Sequence, residues 1–235
     1  MADALDKSGK ASMKITVPTY QHPFELVLSR TALIVIDMQI DFCDRLGFCS
    51  VNLNADVSAI RAIVPSLQRM IHWARSQGIW IIYTRESHKS DLSDLQPSKQ
   101  LRYINAGYPV GSVGNRGRFL IQGEIGTEII PELTPMSEDW QLDKPAQSAF
   151  VDTPLAERLH SSRITHLLIT GVTTECCVLG TYRQASDLGF YALLLEDCCA
   201  AFTPAEHQAA IAVLLAESGA IGWVTTSQQL IENIP

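Results

Sequence analysis

A cysteine, an aspartate and a lysine, far apart in the chain, stand where they could converge on one crevice and make the cysteine a nucleophile. Cys177 lies in Gly171-Val172-Thr173-Thr174-Glu175-Cys176-Cys177-Val178, after the apolar run Ile164 to Thr170 and before a helical segment that ends at Gly189. A continuous apolar run of that length predicts a strand buried on both faces. The stretch is then a strand-to-helix turn, the place where open α/β sheets keep their chemistry. Exposed N–H groups and the helix dipole at such a turn favour a thiolate, which predicts a nucleophilic Cys177 whose thiol titrates near neutral pH. Asp37 follows the run Ala32 to Ile36, and Lys144 follows Trp140-Gln141-Leu142. A carboxylate can take the thiol proton and return it to a leaving group, and an ammonium beside it keeps aspartate and thiolate poised. Taken singly, each has a plainer reading. Cys177 could fill space, a reading that fits Cys176 and Cys199 better; Asp37 could cap a helix or pair with a cation; Lys144 could be a solvated surface lysine. What favours chemistry is that all three fall at strand ends, which in a parallel sheet point the same way.

The elements that must position them alternate. Strands are predicted at Ala32 to Ile36, Ile79 to Thr84, Trp140 to Leu142, Ile164 to Thr170, Tyr191 to Leu195 and Ile221 to Val224. Between them, Ile60, Ile63, Leu67, Met70, Ile71 and Ala74 recur at helical spacing, with Pro65 at a first turn or a kink. Thr153-Pro154 starts a helix with a cap residue and a proline, and Thr203-Pro204-Ala205-Glu206 forms a capping box. The pattern predicts one α/β domain, 26–235, with a mostly parallel, doubly wound sheet and helices on both faces. Residues 1–25 read as an N-terminal arm with a short extended piece at Lys14 to Pro18. The stretch from Lys89 to Gly126 shows little periodicity, and a loop of that length covers a site or meets a partner subunit.

The whole chain narrows the class. Its 235 residues are enough for a full core. With 18 basic and 25 acidic residues, a formal net charge of -7 and no long basic run, nucleic acid is excluded as a partner. No apolar stretch reaches a membrane span and no signal-peptide pattern opens the chain, so a cytoplasmic protein with no membrane partner is expected. The six cysteines include no C-x-x-C pair, so no metal and no other cofactor is expected.

Asp37-Met38-Gln39-Ile40-Asp41-Phe42, Lys144-Pro145 with Ser148-Ala149-Phe150, and the Gly171 to Val178 stretch resemble, in order and spacing, the isochorismatase-like cysteine hydrolases. The likeness runs from about Ala32 to the C-terminus. It implies a catalytic triad of Asp37, Lys144 and Cys177, a cis peptide between Val172 and Thr173, an oxyanion hole from the backbone N–H groups of Thr173 and Cys177, and a homo-oligomer, dimer or tetramer. Within the family, the nicotinamidase metal set is missing from Thr84 to Leu95, and that stretch is similar to the biuret hydrolases instead. The likeness departs at two substrate-facing places, Gln147 and Glu217, which implies the same chemistry on an altered linear ureide, with triuret the leading expectation. Phe42 is expected against the planar face of the substrate. An alternative substrate, a ureidoacrylate or an N-carbamoyl amino acid, carries a carboxylate and needs a cation from among Arg85, Arg102, Arg116 and Arg118. A noncatalytic binding protein on the same scaffold is the remaining alternative, and the intact Asp, Lys and Cys argue against it.

Overall fold

Every residue of the apolar run Thr31–Ile36 is buried in the computed structural model, which describes residues 14–233. The run alternates between two cores, with Leu33 and Val35 facing one and Ala32, Ile34 and Ile36 the other. That division is why it shows no polar alternation: a strand covered on both faces has no side for water. In chain order the strands are β1 (Lys14–Val17), β2 (Phe24–Val27), β3 (Thr31–Ile36), β4 (Trp80–Glu86), β5 (Val113–Gly114), β6 (Gly117–Arg118), β7 (Trp140–Lys144), β8 (His166–Val172), β9 (Tyr191–Ala200) and β10 (Trp223–Thr225).

Six of them form the central sheet in the order β10-β9-β8-β3-β4-β7, each pair parallel. The chain winds outward from β3 through β4 to β7, then returns to lay β8 on the other side of β3. The order therefore reverses between β3 and β8, and a crevice forms at their carboxyl ends. One core holds Leu67, Met70, Ile71 and Ala74 of the helix Val64–Ser76. The other holds Leu155 and Leu159, Tyr182 and Ala185, and Ile211 and Leu214, from three further helices. This is the single doubly wound α/β domain expected, and the capping box at Thr203 and Glu206 is formed.

Several boundaries differ from expectation, among them the end of β9, expected at Leu195 and found at Ala200. The helix predicted from Ile60 is broken at Ile63, with Ser58–Ala62 ahead of it and Pro65 in the first turn of Val64–Ser76. Of the expected arm, residues 1–13 lie outside the described residues. The remainder enters an antiparallel hairpin of β1 with β2, which buries Ile15, Val17, Phe24 and Leu26 in the core. The stretch from Lys89 to Gly126 contains a helix, Pro97–Asn105, and the short β5-β6 pair. The inward residues of that helix are Lys99, which is buried, and Tyr103, half-buried. Their i, i+4 spacing is helical, but a stripe carrying a lysine gives no apolar signal.

A third, smaller core caps the carboxyl edge of the sheet. Phe48, Cys49, Val110, Phe119, Leu120 and Ile121 are its buried members, with Phe42, Tyr103, Tyr108 and Phe202 among those packed against them. Among the described residues, no helix is long and apolar enough to cross a membrane.

Candidate active site

Asp37 is the first residue beyond β3, and its backbone turns left-handed there, at φ 49. Aspartate tolerates that conformation better than most residues, and the turn leaves the carboxylate fully buried. One oxygen accepts from Thr84 Oγ1 at 2.6 Å. The other lies 2.8 Å from Lys144 Nζ, and no well-angled hydrogen bond occupies it. Lys144 closes β7, also without exposure, and donates to the Ala146 carbonyl at 2.9 Å.

β8 approaches β3 so closely at Gly171 that a Cβ there would meet the Ile36 carbonyl oxygen at 2.1 Å, and its φ is +109. Only glycine fits both conditions. The Val172-Thr173 peptide is cis, as the resemblance implied. A wide π turn, Thr174–Val178, then leads into the helix Leu179–Asp187, and Cys177 sits within this turn, 5% exposed. The ligating atoms of Asp37, Cys177 and Glu86 lie within 4.8 Å of one another.

Glu86 was not among the residues singled out from the sequence. It ends β4, two residues beyond the predicted strand, in register with Lys144. Cys177 Sγ donates to its Oε2 at 3.2 Å, and Lys144 Nζ lies 3.6 Å away. Its Oε1 is 2.5 Å from Lys99 Nζ. Lys99 also donates to the Pro145 carbonyl at 2.8 Å and faces His88 Nε2 at 2.9 Å. A glutamate at a strand end with a cation paired across the sheet was the available signal. Lys99 left none, because its helix lacks an apolar stripe.

Two carboxylates and two ammoniums share this water-poor space, so the formal charge closes to zero while Cys177 keeps its proton. The ligating spacing of Asp37, Glu86 and Cys177 could suit a cation, but the Lys144 ammonium already stands between the two carboxylates. Burial pushes the Asp37 carboxyl up, Lys144 opposes the shift and Glu86 adds to it; the result is a raised pKa. Burial would raise Glu86 too, but the Lys144 and Lys99 charges outweigh it and hold it at about 2. Burial works against the Lys144 charge, yet Asp37, Cys177 and Glu86 together raise its pKa, so it stays protonated.

The expected low-pKa Cys177 is corrected here. Its side-chain hydrogen bond with Cys176 and its burial hold the thiol well above its usual value, and Glu86 and Asp37 add to this against Lys144. Two nearby anions and desolvation exceed the help of one helix start.

Of the expected substrate-facing residues, Phe42 lies in the aromatic cap, edge-on to Phe119 with ring centroids 6.2 Å apart. Gln147 is exposed, on the bend that follows β7. Glu217 is not brought to the site. It is exposed in the connection that enters β10, with backbone φ 53, and therefore lies at the amino edge of the sheet. Position in a helical run does not reveal which edge the run's end will reach. Among the four arginines, Arg85 pairs with Asp143 and Glu128, and Arg118 donates to the Ser90 carbonyl. Arg102 is exposed, and Arg116 is half-buried with its Nε unpartnered.

Residues 31–229 match the isochorismatase domain. The chain is 30% identical to the ureidoacrylate amidohydrolase of Klebsiella pneumoniae over 226 residues, covering 90% of this chain and 89% of that one. It is 27% identical to the ureidoacrylate amidohydrolase of Acinetobacter baylyi, covering 99% and 94%. Its fold matches that of a cysteine hydrolase from Pseudomonas syringae, with a TM-score of 0.75 at 25% identity, covering 92% of this chain and 96% of that one. The chain belongs to the isochorismatase family.

Proposed function

We propose that this enzyme is an amidohydrolase that cuts a C–N bond of a ureido acid, a substrate with a carbamoyl group at one end and a carboxylate at the other. One observation carries the chemistry: a cysteine thiol, a buried aspartate and a buried lysine converge at the switch point of the sheet, with Lys144 Nζ 2.8 Å from Asp37. The substrate class rests on the likeness to ureidoacrylate amidohydrolases over nine-tenths of the chain. That likeness displaces triuret as the leading substrate, and Glu217, one of the two positions that pointed to an altered linear ureide, stands at the far edge of the sheet.

In the reaction, Asp37 takes the Cys177 proton as the sulfur bonds to the carbamoyl carbon, and the C=O π pair moves onto oxygen. Its raised pKa makes Asp37 a stronger base than an ordinary carboxylate. Backbone N–H groups of Thr173 and Cys177 are assigned to the oxyanion; one such donor contributes about 3 to 4 kcal/mol in comparable sites. The oxygen pair returns, the C–N bond breaks, and Asp37 passes its proton to the departing nitrogen, releasing ammonia. Water then attacks the remaining C–S bond with Asp37 as base, and the thiol is restored. Arg116, in the β5-β6 turn with an unpartnered Nε, is assigned to the carboxylate.

The test is an ammonia-release assay across ureidoacrylate, N-carbamoyl amino acids, biuret and triuret. Ureido acids should be turned over with the highest kcat/KM, and Arg116→Met should raise KM for them alone. Higher kcat/KM on triuret would return the assignment to linear ureides, and full activity of Cys177→Ala would overturn the mechanism.

A further inference from the structure

Glu86 is held at its backbone and at both carboxylate oxygens. Both its backbone N–H and its carbonyl are bonded to the Gln39 carboxamide, at 2.8 and 3.0 Å. Its Oε1 is taken by Lys99 at 2.5 Å and by the Tyr103 hydroxyl at 3.3 Å. Lys99 is anchored in turn, by the Pro145 carbonyl and by His88, whose other ring nitrogen faces Asp94 at 3.4 Å. Only Oε2 points at reacting atoms, and there it accepts the Cys177 S–H. Arranging this much structure around a carboxylate 1% exposed needs a reason.

Proton transfer is not that reason, since Asp37 has the higher pKa of the two carboxylates. We infer that Glu86 is a fourth catalytic residue, which holds the thiol in the resting site and then accepts an N–H from the carbamoyl group under attack, so selecting nitrogen over oxygen at the bond to be cut. When the sulfur proton passes to Asp37 and the C–S bond forms, Oε2 loses its one close donor and keeps only the Lys144 ammonium at 3.6 Å. A buried carboxylate oxygen left short of a hydrogen bond is costly. An amide nitrogen on the attacked carbon sits beside the sulfur and supplies a new N–H. An ester or ether oxygen at that place offers only lone pairs, against a carboxylate that cannot swing away. Sites built to bond a substrate N–H reject analogues lacking it by several orders of magnitude. The inference rests on the amide reading proposed above and names what enforces it.

The test pairs a urea with the methyl carbamate of the same acyl group, in the wild-type enzyme and in Glu86→Gln. Lys99 should orient the new carboxamide with its oxygen inward and its NH2 toward the sulfur, a donor facing the substrate. The wild type should strongly prefer the urea, and the variant should lower the urea-to-carbamate ratio of kcat/KM by roughly 100-fold or more. Separately, the pH profile of Cys177 alkylation by iodoacetamide should move to lower pH in the variant, because one negative charge beside the sulfur is gone. That second readout needs no substrate. An unchanged alkylation profile overturns the inference, as does a shifted profile with an unchanged substrate ratio. A wild type that prefers the carbamate defeats the amide reading itself. If Glu86→Gln unfolds because Lys99 has lost its counter-charge, Glu86→Gln with Lys99→Met removes both charges and takes the same two measurements.

Discussion

The two edges of one sheet hold very different polar groups. At the amino ends of β4 and β7 there is a cavity of about 400 Å³, lined by Arg75, Trp80, Asp139, Trp140 and Arg158 among others. Its charges are settled and partly wet: Arg75 bonds Asp139 at 2.6 Å, and the Arg158 guanidinium lies 4.2 Å from the Trp140 ring centroid. At the carboxyl ends, Asp37, Glu86, Lys99, Lys144 and Cys177 are each at most 5% exposed and press on one another. The hollow at the amino edge is thus the chemically quieter place. Reactivity follows from desolvated charges held near a nucleophile, whose interactions are strong because water cannot screen them. A parallel sheet gathers the residues that follow its strands at the carboxyl edge, and only that edge collects the turn at Cys177.

Substitution should separate the edges sharply. The largest effect is expected for Cys177→Ala and Asp37→Asn, with kcat reduced by roughly 10⁴-fold or more in steady-state assays, while purified protein keeps its far-ultraviolet circular dichroism. Equal activity in either variant would move the chemistry elsewhere.

Lys144→Met comes next. It leaves Asp37 buried without its counter-charge and should cost about 3 to 5 kcal/mol of stability in urea unfolding. It should also shift the pH profile. Asp37 must be unprotonated to act, so activity falls as pH drops through its pKa, which burial raises and Lys144 restrains. Removing Lys144 should move that acid limb to higher pH, a direction that kcat/KM against pH will show.

At the amino edge the effects shrink and become purely structural. His166 opens β8, its ring stacked on Tyr191 at 4.8 Å, and burial holds its pKa down to about 4. The unfolded chain therefore takes up a proton first, and stability should fall as pH drops from about 6.5 toward 4. His166→Phe should flatten that slope in pH-dependent unfolding and leave the acid limb of kcat/KM unchanged. Arg158→Ala is the smallest, at under about 1 kcal/mol, with kcat/KM unaltered. A loss of activity there would erase the contrast between the edges.

Periodicity in this chain reached the alternation of strands and helices, the parallel sheet and the strand-end positions of Asp37, Lys144 and Cys177, because burial on two faces leaves unbroken apolar runs and strand ends are marked by the first polar residue. The turn motif from Gly171 to Val178 was legible as a stretch, but the demand for a residue without a Cβ at Gly171 comes from the close approach of β3. Tertiary structure alone decided the rest. Glu86 and Lys99 join the site through contacts across strands and from a cap helix, and no local period records them. Glu217 went to the opposite edge because the direction of the preceding helix depends on how it crosses the sheet. The state of Cys177 was decided last of all. A helix start favours a thiolate, but the carboxylates that surround the sulfur come from β3 and β4, more than ninety residues away, and electrostatic energy depends on distance in space rather than along the chain.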